Sequence, residues 1–294
     1  MTSPDFASVF AEAEVDGFIH ALDLDSGNEV GYQDADYVIP ASVFKIPVLL
    51  ELFRQHEAGE IDVTSVVEVP VTSRTGGPFG ISIMQDPISM SLRDLAWLMI
   101  GISDNAATDF ICDQVGIDQV NATLASLGFE QTTIAGHCED LFADVRRELG
   151  VLTLEEIARP TWEMFEKVSE FDPSRAATRT TPREMTRLLQ VIWTDEGPLQ
   201  SALVEVRRIL GQQVWPHRLA SGFADLDEVT TSGKTGTLPT IRNEVGVVAY
   251  PDGGRYAVAV FTRAKRLSLK HPAADAVIGR SARLAVDALR AQSA

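Results

Sequence analysis

Strand-like segments lie near both ends of this chain, and helical patterns fill the long stretch between them. Gly17 to Asp25 has alternating and β-branched character, Ser26-Gly27-Asn28 is turn-like, and Glu29 to Gln33 reads as a second strand, which together make a hairpin signal. At the other end, Glu228 to Thr237, Arg242 to Tyr250 and Arg255 to Arg263 are strand-like. Pro251-Asp252-Gly253-Gly254 joins the last two as a hairpin turn. Strands at both ends around a helical middle predict one sheet assembled from both termini and covered by helices, an α+β architecture with an all-helical subdomain. The expected division is 1–45 with 197–294 for the sheet subdomain and 46–196 for the helical one.

Within the middle, Ala41 to Glu57 carries Phe44, Val48, Leu49, Leu52 and Phe53 at helical spacing. Pro47 falls near its start, where proline is tolerated. Arg74 to Pro87 holds several glycines and prolines and is expected to be loop. Ser91, with Asp94 three residues on, opens a helix to Ile102. Further helices are expected over Ala106 to Val115 and Ile117 to Leu127. Residues 138–180 read as acidic and irregular, with one helix around Leu154 to Val168. Thr181-Pro182-Arg183-Glu184 is a helix start leading into Met185 to Ile192, and Pro272 to Gln292 closes the chain as an amphipathic helix.

With 294 residues, of which 45% are apolar, the chain is able to bury a substantial core. Its net charge of −17 argues against binding nucleic acid and against adsorption to an anionic membrane. No apolar run reaches membrane-spanning length. The start, Met1-Thr2-Ser3-Pro4-Asp5-Phe6, lacks the basic-then-apolar pattern of a signal peptide, so a cytoplasmic location is expected. Cys112 lies on an apolar helical stretch and reads as a buried reduced thiol rather than half of a bridge to Cys138. The histidines (20, 56, 137, 217, 271) and cysteines show no paired ligand spacing, so no metal or other cofactor is implied. Gly76-Gly77-Pro78-Phe79-Gly80 lacks the ending of a phosphate loop. Oligomeric state is not legible.

Three short strings then stand in order: Ser42-Val43-Phe44-Lys45, Ser103-Asp104-Asn105 and Lys234-Thr235-Gly236. Each alone fits an ordinary helix start, helix-to-helix turn or strand end. Together they supply a hydroxyl nucleophile, groups to move its proton, and a glycine-backed strand to receive an acyl carbonyl. On a helix, residues i and i+3 share a face, which sets Lys45 beside Ser42 near the helix N-terminus. A lysine of lowered pKa is able to act as the base for such a serine. Ser103 is placed to relay a proton to a leaving nitrogen, Asn105 to hold a substrate amide, and Asp104 to brace the turn.

With these strings, Pro40-Ala41, Ser91-Leu92-Arg93-Asp94-Leu95-Ala96 and Arg242-Asn243-Glu244, the chain resembles class A β-lactamases and penicillin-recognising serine hydrolases from about residue 15 to 290. The resemblance implies an antiparallel sheet of about five strands flanked by helices, plus a helical domain. It implies Ser42 as the acylated nucleophile and Lys45 as its proton partner, with Ser103 and Asn105 lining the cleft. The amides of Ser42 and Thr237 would form the oxyanion hole beside Gly236. Lys234, Thr235 and Arg242 would bind a carboxylate, so the expected partner is a small carboxylate-bearing molecule.

The chain also departs from that family. Class A enzymes hydrolyse their acyl-enzyme with the glutamate of a Glu-x-x-Leu-Asn string, which is absent here. Glu139 falls at the glutamate's place, but Ala143 stands where the asparagine belongs, and the loop to Thr180 is longer than usual. Glu139 as deacylating base and a solvated acidic loop are both open readings, with His137 a further substitute. Three functions follow: a serine hydrolase acting on a β-lactam or related amide, a non-lactamase amidase, esterase or D-peptidase (or a slowly deacylating penicillin-binding protein), and an inactive scaffold on the same fold.

Overall fold

The computed structural model describes residues 4–151, 162–165, 167–193, 199–267 and 270–293. The chain divides into two compact units, one of 1–43, 180–193 and 215–294, the other of 44–179 and 194–214. Elements are numbered along the chain.

The first unit is built on a five-stranded antiparallel sheet in the order β2-β1-β7-β6-β5. Its strands are β1 (Val15–Asp23), β2 (Glu29–Tyr32), β5 (Thr230–Leu238), β6 (Ile241–Ala249) and β7 (Arg255–Ala264). The N-terminal hairpin therefore joins the C-terminal meander through β1 and β7, with Ile19 opposite Val260. Alternation along β1 assigns its two faces. Ile19 and Ala21 enter the core with Val277, Ile278, Ala282 and Val286 of α10 (Pro272–Ser293) and with Phe6 and Phe10 of α1 (Phe6–Glu12). His20 points the other way, its Nδ1 2.6 Å from Thr186 Oγ1 on α8 (Pro182–Ile192). Helices cover both faces, which is why β6 is buried at eight consecutive positions instead of alternating. Helix α8 thus belongs with the sheet, not with the helical part in which the sequence reading placed it.

The second unit gathers α2 (Lys45–Glu57), α3 (Leu92–Gly101), α4 (Asn105–Val115), α5 (Ile117–Ser126), α6 (Cys138–Leu149), α7 (Trp162–Phe165) and α9 (Gln200–Leu210), with a small hairpin of β3 (Val66–Val69) and β4 (Ile88–Ser91). Helix α2 is buried along most of its length against α3, α4, α5 and α9. Its Glu51 is fully buried, yet it accepts hydrogen bonds from Arg54 at 2.8 Å, Gln55 at 2.6 Å and Thr123 at 2.7 Å. That satisfaction is what makes a carboxylate tolerable there.

Several boundaries differ from expectation. The helix expected from Ala41 begins at Lys45, and Ala41–Phe44 is a separate 3-10 turn. The irregular start expected at 138 is a regular helix, α6, opened by His137 and Asp140 in a reciprocal capping box and closed by Gly150 at φ +66°. Most of the helix expected at Leu154 to Val168 lies outside the described residues, and Trp162–Phe165 is the helical part within them. Helices α1 and α9 and the β3–β4 hairpin were not foreseen.

Two predictions follow from the first unit. A Cβ on Gly17 would lie 2.1 Å from the Phe10 ring, so Gly17→Ala is expected to cost about 1–3 kcal/mol of unfolding free energy by overpacking. Denaturant titration in a Phe10→Ala background checks the cause, since the cost should shrink there. The second concerns His20. Burial, and then the Arg183 guanidinium, push its pKa from 6.5 down to about 4, with Asp34 and Glu29 acting upward and Arg187 downward. The folded chain therefore binds this proton less readily than the unfolded one. Stability from this group is whole above about pH 6.5 and falls by about 1.4 kcal/mol per unit as pH drops toward 4. Unfolding midpoints at pH 7 and pH 5 should differ less in His20→Gln than in the wild type.

Candidate active site

In the first unit, the residues before Ser42 are pinned to the sheet by one side chain. Asn243 on β6 is fully buried and donates from Nδ2 to Ile39 O at 2.9 Å and Pro40 O at 3.1 Å, while its Oδ1 accepts from Thr262 N at 3.2 Å. Register places Gly236 of β5 opposite Asn243, and the turn carrying Ser42 lies directly on that glycine. A Cβ at Gly236 would come within 2.5 Å of Pro40 O and 3.2 Å of Val43 Cγ2. Glycine is required by this approach, not by backbone freedom. Ala41, immediately before the half-buried Ser42, is held at φ +47°. A non-glycine residue in that region is strained and persists only where its surroundings over-determine it.

Buried charges of both signs gather at the end of β5, with Glu244 opposite Thr235. Lys234 is fully buried and donates to Thr235 O at 2.8 Å. Arg218 donates to Gly236 O at 3.0 Å, Asn243 O at 2.9 Å and Thr237 Oγ1 at 2.8 Å, and from Nε to Asp275 at 2.7 Å. Arg242, opposite Thr237, donates to Leu238 O at 2.6 Å and Ile241 O at 2.8 Å and has its Nε 3.7 Å from Asp275. Among the described residues, the buried lysines and arginines are Lys45, Arg218, Lys234 and Arg242. Thr235 is buried and Thr237 exposed, on a strand at the sheet edge.

In the second unit, Lys45 opens α2 fully buried, and its Nζ donates to Ser103 O at 2.9 Å, Ser103 Oγ at 3.3 Å and Asn105 Oδ1 at 3.1 Å. Burial holds its amine below the ordinary lysine pKa, against the opposing pull of Cys138, Asp109 and Asp104. Ser103 is at φ +64°, a second strained non-glycine position. Asp104 fixes this turn by accepting from Ile81 N at 2.6 Å, Ser82 Oγ at 2.8 Å and Ala107 N at 3.2 Å. Asn105 also donates to Gly76 O at 3.1 Å, tying the turn to the glycine-rich loop. The structure thus joins Lys45, Ser103 and Asn105, and Lys45 follows Ser42 by a single 3-10 turn.

Glu139 is not brought to this group. Its carboxylate is exposed and pairs with Arg146 one face along α6, and His137 pairs with Asp113 and Asp140, both at 3.1 Å. What the sequence reading missed are the supports. Arg218 and Asp275 carried no motif. Asn243 was noticed only as part of a string. Asp109, which accepts Cys138 N at 2.7 Å and Glu139 N at 3.0 Å, lies four residues after Asn105 on α4. That i, i+4 spacing was the available signal.

Comparisons with known proteins cover nearly the whole chain. The sequence profile of the Beta-lactamase enzyme family matches residues 3–289. The chain is 31% identical to the β-lactamase regulatory protein BlaB of Streptomyces cacaoi, over 95% of this chain and 94% of that one. The crystal structure of a β-lactamase from Sphaerobacter thermophilus superposes with a TM-score of 0.77 at 25% identity, covering 97% of each chain. A mutant of PBP-A, in an acyl-enzyme complex with penicillin G, matches with a TM-score of 0.75 at 20% identity over 97% of this chain and 94% of that one. With a profile spanning nearly its whole length, this chain belongs to the β-lactamase enzyme family, as a hydrolase of the serine β-lactamase type.

Proposed function

We propose that the chain forms an acyl-enzyme on Ser42 with a β-lactam or a related carboxylate-bearing amide. The observation that carries this is the buried Lys45 amine, bonded to Ser103 and Asn105 three residues after Ser42. Because burial favours its neutral form, Lys45 takes the Ser42 proton as Oγ bonds to the carbonyl carbon. The amide C–N bond breaks, and Lys45 and Ser103 return that proton to the leaving nitrogen. The amides of Ser42 and Thr237 stabilise the oxyanion, a role supported by the close seat of the Ser42 turn on Gly236. Lys234, Thr235 and Arg242 hold the substrate carboxylate, and the buried positive charge there supports that reading.

A second reading has support of its own: an acyl-serine receptor that deacylates slowly. Its support is the outward pairing of Glu139 with Arg146, together with a relative whose name is that of a regulatory protein.

Two tests follow. Intact-mass measurement after exposure to benzylpenicillin should show an adduct of one whole penicillin, absent in Ser42→Ala, and acylation in Lys45→Ala should fall by ~10²–10⁴-fold. Wild-type acylation in Lys45→Ala would remove Lys45 from the mechanism. For the carboxylate site, benzylpenicillin should acylate faster than its methyl ester, and Lys234→Ala should shrink that preference. An unchanged preference would place carboxylate recognition elsewhere.

A further inference from the structure

His217 stands beside the cations at the end of β5. One carboxylate, that of Asp275 in the first turn of α10, gathers three basic side chains: Arg218 Nε at 2.7 Å, Arg242 Nε at 3.7 Å and His217 Nε2 at 3.9 Å. The guanidiniums keep their charge at any working pH, so two positive charges already face one negative charge. A proton on His217 makes it three against one. The group lies against Thr237, whose Oγ1 accepts from Arg218 at 2.8 Å and which pairs with Arg242 in register. Its members differ in their access to water. The Arg218 and Arg242 side chains are 4% and 5% exposed, that of His217 48%. The imidazole packs edge-on against the Trp215 ring, with centroids 6.3 Å apart. The charged groups facing it are Arg218 from its own segment, Asp275 from α10 and Arg242 from β6. Burial, and then Arg218, hold its pKa below the ordinary histidine value, with Asp275 acting upward and Arg242 downward.

We propose that His217 is a specificity-determining residue for the substrate carboxylate, its proton adding a third positive charge beside Arg218 and Arg242 as the medium turns acid. The inference rests on the acyl-serine reading above and deepens its carboxylate site. Arg218 already holds Asp275 in a direct hydrogen bond, and that one carboxylate does not neutralise two guanidiniums and an imidazolium together. The unbalanced charge is left to an incoming anion. A carboxylate stays ionised well below the range in which an imidazole titrates, so over that range the change in attraction comes from the protein. Because His217 is exposed, its field is screened, and ~2–5-fold in rate is the expected size. The coupling is reciprocal: a bound carboxylate raises the affinity of His217 for its proton by the same factor.

The test compares the reaction of Ser42 with benzylpenicillin and with its methyl ester, measured as β-lactam consumed and as adduct mass, at about pH 5.5 and about pH 8. Taking the ratio removes what both compounds share, including the protonation of Lys45. In the wild type the preference for the acid should be ~2–5-fold larger at the lower pH, and in His217→Gln it should be nearly the same at both. A preference whose pH dependence survives in His217→Gln would overturn the proposal. A second measurement needs no variant. In the wild-type adducts, proton NMR should show His217, assigned through its contacts with the Trp215 ring, titrating at higher pH with the acid than with the ester. Equal titration would overturn the proposal too. Equal reaction with the two compounds at both pH values would instead overturn the carboxylate site, and no reaction with either would overturn the acyl-serine reading, each taking this inference with it.

Discussion

A buried amine organises the second unit. Lys45 is fully buried, and a polar nitrogen left without hydrogen bonds in such a place costs about 1–3 kcal/mol. Its nitrogen is met by Ser103 O, Ser103 Oγ and Asn105 Oδ1, all from one helix-to-helix turn. To offer both a carbonyl and a hydroxyl to one amine, Ser103 adopts φ +64°. That strain is held by Asp104, which accepts hydrogen bonds from Ile81, Ser82 and Ala107 at once. The Asp104 contacts and the Asn105 bond to Gly76 in turn order the glycine-rich loop. A chain of dependence thus runs outward from one desolvated nitrogen.

The first unit solves a matching problem by different means. Ser42 stands on a short 3-10 turn, Ala41–Phe44. Position comes from the sheet: Asn243 grips the two carbonyls before Ala41, and Gly236 admits the turn to van der Waals contact. Arg218 then locks β5 to β6 by bonding Gly236 O and Asn243 O together. Each of these residues acts on backbone, which is why none is replaceable by a residue of similar polarity but different reach.

What was legible in the sequence follows this division between local and long-range causes. Ser91 announced α3 because its hydroxyl caps Asp94 N, three residues away. The β6–β7 hairpin was visible because Gly253, at φ +96°, writes its turn into adjacent residues. The three strings were legible because spacing and chain order alone carry them. Helix α6 was missed because histidine is an uncommon cap, although Gly150 and the terminal charges of Glu139, Asp140, Arg146 and Arg147 marked its ends. Arg218 and Asn243 were illegible as supports, since their partners lie 18 to 204 residues away in the chain. No window of sequence contains such a pair. The docking of the first turn of α6 was equally hidden, since Asp109, 29 and 30 residues earlier, accepts its first N–H groups.

Charge distribution adds a final constraint. The chain carries −17 overall, yet its buried lysines and arginines, among the described residues, are Lys45, Lys234, Arg218 and Arg242. A solvated cation on an acidic surface is screened and offers little to a passing anion. A desolvated one, held by carbonyls and by carboxylates such as Asp275, escapes that screening. The acidic exterior therefore does not contradict a carboxylate-bearing substrate. On the function proposed above, recognition of that carboxylate falls to Lys234, Thr235 and Arg242 and not to the surface, which turns net charge from an argument about partners into one about selectivity.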